Sequence, residues 1–76
     1  MINQKERQLQ RHLIDQIEHV MQSTGVTQAK LARRLRVDPS AVSHWLSGKQ
    51  RLMLRTILRL ATALNLDVQI EIRKNG

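Results

Sequence analysis

The chain has no cysteine, no phenylalanine and no tyrosine, and only one proline and three glycines. Without cysteine there are no disulfides and no thiolate-held metal. Trp45 is the single aromatic ring, so stacking of unpaired bases is poorly served and a stacking-platform RNA binder is disfavoured. No apolar run approaches the roughly 20 residues of a membrane span. The N-terminus, M-I-N-Q-K-E-R-Q-L-Q, is polar and amphipathic and does not read as a signal peptide. A soluble cytoplasmic protein is the expectation. No paired carboxylates, activated nucleophile or phosphate-cradling loop stands out, so no enzyme, no cofactor and no small-molecule substrate is expected. His12 and His19 lie seven apart on one helix face without a third ligand, so no metal site is expected either.

Acids are scarce too: six against thirteen lysines and arginines, for a net charge of +7. The imbalance is local. Between residues 27 and 60 stand Lys30, Arg33, Arg34, Arg36, Lys49, Arg51, Arg55 and Arg59, with Asp38 as the one acid. A single charge run is usually a solvated face, but a cluster of this size reads as an electrostatic footprint for phosphates. Seventy-six residues suffice for one domain. A chain this short hides only about 60% of its unfolded surface, so its stability is marginal without further support.

Residues 1–5 carry no strong pattern and are expected to fray. A long helix is expected from about Glu6, with Leu9, Leu13, Ile17 and Val20 along one face and Ile14 and Met21 beside it. Ser23-Thr24-Gly25 ends it. Thr27 then N-caps a short helix bearing Leu31, Ala32 and Leu35. Asp38-Pro39 opens another: proline pushes residue 38 out of the helical region, aspartate caps, and proline suits the first helical position. That second helix carries Val42, Trp45 and Leu46 inward, Trp45 as packing, and stops at Ser47-Gly48. Eight or nine residues cannot hold a helix alone. Two such helices locked together can.

After a basic loop, in which Leu52 and Met53 are expected to plug the gap to the preceding helix, a further helix runs from about Leu54 to Leu64. Leu54, Ile57, Leu58, Ala61 and Leu64 are expected inward, and Asn65 as a left-handed cap. Leu66, Val68, Ile70 and Ile72 then alternate with Asp67, Gln69, Glu71 and Arg73, the period of a strand. A lone strand leaves its amides and carbonyls unpaired and recruits another chain. The economical partner is the same strand of a second copy, antiparallel about a two-fold axis.

The stretch 27–48, through Gln28, Ala29, Leu31, Ala32, Leu35, Val37, Ser40, Val42, Trp45, Leu46 and Gly48, resembles the helix-turn-helix of the Cro/cI-type (XRE-like) regulators. The resemblance departs at Arg36, where the family often has glycine. A non-glycine residue at positive φ costs roughly 1 kcal/mol, so the first helix of the motif is expected to end differently. The fold implied is mostly α: a lambda-repressor-like helical DNA-binding domain of about four helices over 1–65, with one C-terminal β-strand, 66–74, pairing across a homodimer. The first helix exceeds what a phage-type repressor needs, leaving open a partner contact or an exposed extension. A single C-terminal strand after the motif is also similar, in architecture, to HipB-type antitoxins.

The resemblance implies binding of double-stranded DNA by a homodimeric regulator, with two reading helices about 34 Å apart on an inverted repeat. Pro39, Ser40, Ser43 and His44 would meet the bases. Gln28, Lys30, Arg33, Arg36, Ser47, Lys49 and Arg51 would hold phosphates, Arg33 or Arg36 also reaching toward bases. Leu66, Val68, Ile70 and Ile72 would join the subunits. The alternative is an antitoxin that also binds a toxin protein; an interaction module without DNA binding is a third reading.

Overall fold

The computed structural model describes residues 4–74 as four helices: α1 Gln4–Thr24, α2 Gln28–Leu35, α3 Pro39–Leu46 and α4 Leu54–Ala63. The expected helices are all present, α1 beginning two residues before Glu6. Residues 1–3, part of the stretch expected to fray, lie outside the described residues. α2 packs on both α3 and α4, and α1 packs on α4. Ile14, Ile17 and Met21 of α1 meet Leu31 and Ala32 of α2, Val42 and Leu46 of α3, and Ile57, Leu60 and Leu64 around α4. Each large side chain so buried contributes about 1.5–3 kcal/mol. Trp45 is half-buried against this core, as its packing role requires.

Two faces differ from the periodicity reading. On α1 the buried stripe is Gln10, Ile14, Ile17 and Met21; Leu13 and Val20 flank it, and Leu9 is exposed. On α4 the buried set is Ile57, Leu60 and Ala61, while Leu54 and Leu58 face solvent. Both helices carry more apolar residues than one stripe needs, and their neighbours choose which stripe turns inward. Leu52 fills its expected gap, but Met53 is exposed because it supplies the extended N-cap backbone of α4 instead.

Three helices end in the same way. Gly25, Arg36 and Asn65 adopt positive φ, at 73°, 58° and 60°. The next residue closes each turn with a bond five positions back: Val26 N–H to the Met21 carbonyl (3.0 Å), Val37 N–H to Ala32 (3.0 Å) and Leu66 N–H to Ala61 (2.9 Å). This is the Schellman arrangement, and the accompanying apolar contact is present each time, since Val26, Val37 and Leu66 all pack on the core. Arg36 therefore ends α2 as a glycine would, contrary to the expectation of a different ending. The capping bonds and the burial of Val37 outweigh a left-handed penalty of roughly 1 kcal/mol. Arg36→Gly is expected to raise unfolding free energy by no more than about 0.5 kcal/mol, the relief of roughly 1 kcal/mol being largely offset by glycine's unfolded-state entropy of about 0.5–1 kcal/mol. A urea-denaturation midpoint that falls would contradict this.

No strand occurs among the described residues. The tail leaves α4 over the groove between α1 and α4, where Val68 lies near Leu13, Ile17 and Val20. Leu66 and Val68 are half-buried; Ile70 is exposed and Ile72 is 98% exposed. In the single chain the alternation is thus used only at its first two apolar positions.

Candidate nucleic-acid interface

The caps fix where α2 and α3 begin. Thr27 Oγ1 accepts from the Lys30 N–H at 3.1 Å. The geometry leaves the amides of Gln28 and Ala29 at the open end of α2, a ready site for an anion. At α3, Asp38 Oδ1 accepts from both the backbone N–H of Ser40 (2.8 Å) and its hydroxyl (2.7 Å). The hydroxyl bond first, and then the amide bond, hold the exposed Asp38 carboxyl below its ordinary range. The cap carries its charge at neutral pH and loses it only as pH falls below that range.

Pro39, Ser40, Ser43 and His44 are all exposed, while Val42 and Leu46 on the opposite side are buried. One face of α3 is therefore open along its length. The expected base-facing residues share that face, with one qualification. Ser40 donates its hydroxyl proton to Asp38 and can offer an incoming group only a lone pair. The Ser43 and His44 side chains have no such internal commitment among the described residues.

Beyond α3 the chain turns sharply. Ser47 Oγ donates to the His44 carbonyl (2.6 Å) and accepts from the Lys49 N–H (3.3 Å). Ser47 thus shapes the turn that sets Lys49 beyond the C-terminal end of α3. Arg51 pairs with Glu6 of α1 at 2.9 Å, both side chains about half exposed, a contact of little net stability. Gln28, Lys30, Arg33 and Arg36 are exposed on α2 and its turn.

The structure divides the basic cluster in two. Arg34 Nη1 of α2 donates to the carbonyl of Ala63, the last residue of α4, at 2.9 Å. Arg59 Nη2 of α4 donates to the carbonyl of Leu35, the last residue of α2, at 3.3 Å. Each helix caps the other's C-terminus, where the backbone dipole favours a cation. Arg34 and Arg59 thus serve the fold, and the remaining cations stay at the surface.

Sequence reasoning missed Gln10. It is 7% exposed, with Nε2 donating to the Gln50 carbonyl (2.8 Å) and Oε1 accepting from the Leu52 N–H (2.8 Å). One side-chain amide clamps the loop behind α3 on either side of Arg51. Its signal was a polar residue at the head of the stripe 10, 14, 17, 21. His12 and His19 are exposed.

A helix-turn-helix family model of the Cro/cI type matches residues 17–70. No curated protein and no solved structure matches the chain. No helix among the described residues is long and apolar enough to cross a membrane. The match spans most of the chain and brackets the capped pair α2–α3, and on it the chain belongs to the Cro/cI-type helix-turn-helix family of DNA-binding regulators.

Proposed function

We propose that the chain is a homodimeric transcriptional repressor, cytoplasmic, that reads an inverted-repeat operator with α3 in the major groove. The observation that carries this is the open face of α3, polar and flanked by cations at both ends, on a helix whose other side is locked in the core. Ser43 and His44 read base edges, Pro39 touches a thymine methyl or the backbone, and Ser40 contributes as an acceptor. Gln28, Lys30, Arg33, Arg36, Ser47, Lys49 and Arg51 hold the phosphates, Arg51 by exchanging Glu6 for a phosphate and Ser47 chiefly by placing Lys49.

The second subunit joins through residues 66–74, the tail pairing with its copy as an antiparallel ribbon that covers Ile70 and Ile72. Their exposure in the single chain supports this, as does the need of a small core for more buried area. An antitoxin that additionally binds a toxin protein is the second reading. It draws on the groove between α2 and α4, where Leu54 and Leu58 lie open and Leu35 half-buried beside Arg55.

The test is selection of bound duplexes from a random pool, followed by salt titration of the winner. An inverted repeat is expected, with affinity falling roughly 10³–10⁵-fold from 50 to 200 mM salt for 6–10 neutralised phosphates. Lys49→Ala should weaken all duplexes alike, whereas Ser43→Ala or His44→Ala should change the preferred site. Equal loss on selected and random duplexes for His44→Ala would remove it from base reading. A protein that stays monomeric at micromolar concentration would remove the ribbon.

A further inference from the structure

The first three turns of α1 precede the family match at residues 17–70, yet they form one wall of a cleft whose other wall is the loop after α3. The cleft holds about 820 Å³. Its rim carries Arg7 and Arg11 from α1, and Lys49 and Arg51 from the loop. Two acids lie nearby: Glu6, against Arg51 at 2.9 Å, and Asp15, against Arg11 at 3.6 Å. The balance is positive, and the guanidinium of Arg7 makes no hydrogen bond or ion pair among the described residues.

The walls are held in register. Gln10 ties the loop to α1 through both ends of its amide. The Arg11 guanidinium donates to the Ser47 carbonyl at 3.4 Å and lies across Gly48, where any Cβ would overlap it. Gly48 is also at φ 73°, the left-handed region that favours glycine. The result is a preset cationic notch against the C-terminal end of α3.

We propose that this notch seats a phosphodiester group of the DNA strand flanking the half-site under α3, making the N-terminal extension of α1 part of the DNA interface. The inference rests on the duplex-binding reading above. A phosphodiester is an anion with two free oxygens, matched by a guanidinium fork and an ammonium. No aromatic ring lines the cleft to stack a base, which favours the backbone over a free nucleotide. The Glu6–Arg51 pair is half exposed on both sides, so a phosphate can replace the carboxylate at small cost.

The experiment compares the intact protein with Arg7→Gln and Arg7→Lys on two duplexes sharing the selected site. One ends at the bases under α3, and one extends by about half a helical turn on each side. Expected is tighter binding of the longer duplex by wild type, lost in Arg7→Gln together with about one unit of the salt slope per subunit. Arg7→Lys should keep the slope. Arg7 is exposed, so unchanged melting of Arg7→Gln excludes misfolding. An Arg7→Gln protein with wild-type slope and wild-type preference for the long duplex overturns the proposal while leaving the duplex reading intact. Saturable binding of ATP at the notch, with no effect of flank length, overturns it in favour of a free nucleotide. A wild type that binds no duplex removes both readings together.

Discussion

Leu60→Ala is expected to lower the unfolding free energy by about 2–5 kcal/mol, whereas Leu54→Ala, on the same helix, should cost less than about 1 kcal/mol. Leu60 is fully buried and Leu54 is 53% exposed. The first deletion leaves a cavity that close-packed neighbours fill only in part; the second removes atoms that already touch water. For a domain of this size the total is roughly 4–11 kcal/mol at 0.05–0.15 kcal/mol per residue, so Leu60→Ala removes a large share of it. Urea denaturation of the two variants, compared by midpoint at equal slope, checks the order. A Leu54 variant less stable than the Leu60 variant would mean that α4 is rotated about its axis relative to this structure.

Gln10→Ala should cost roughly 2–4 kcal/mol. The buried Leu52 amide would lose its acceptor, a penalty of about 1–3 kcal/mol, and the part-buried Gln50 carbonyl would lose its donor, about 0.5–1.5 kcal/mol. For a small domain this corresponds to a fall in Tm of roughly 10–25 °C. Hydrogen exchange gives a local readout that a general loss of stability does not. The Leu52 amide should exchange much faster than core amides of α4 in the variant, and at a comparable rate in the wild type. Unchanged melting with a still-protected Leu52 amide would show that the clamp contributes nothing. The substitution also tests how far the loop depends on α1 for its shape, because Lys49 and Arg51 stand on that loop.

The capped helix pair was legible because its signals are local. Thr27 and the Asp38-Pro39 dipeptide act on amides two or three residues away, and that chemistry does not depend on the rest of the chain. Asn65 was readable for the same reason, having a side chain that tolerates the left-handed region. Arg36 was misjudged because its own preference was weighed without the bonds from Val37 and Arg36 N–H to α2, which together with Val37's burial offset it. The exposed face of α3 was legible because it is the remainder left once Val42, Trp45 and Leu46 are assigned inward. Ser40's engagement by Asp38 depends on a side-chain rotamer that spacing cannot show.

Local chemistry in the sequence, then, determined that four helices form in this order, that α2 and α3 are a pair capped by Thr27 and Asp38, and that the excess charge is basic and clustered. The tertiary structure alone decided which apolar stripe of α1 and α4 turns inward. Leu54, Ile57, Leu58, Leu60, Ala61 and Leu64 satisfy two overlapping helical stripes, and only the shape of the neighbouring helices separates them. It also decided the partners of Gln10, Arg34 and Arg59. Their bonds span 24 to 42 residues of sequence, and a hydrogen bond acts over ångströms, so no local pattern could have announced them.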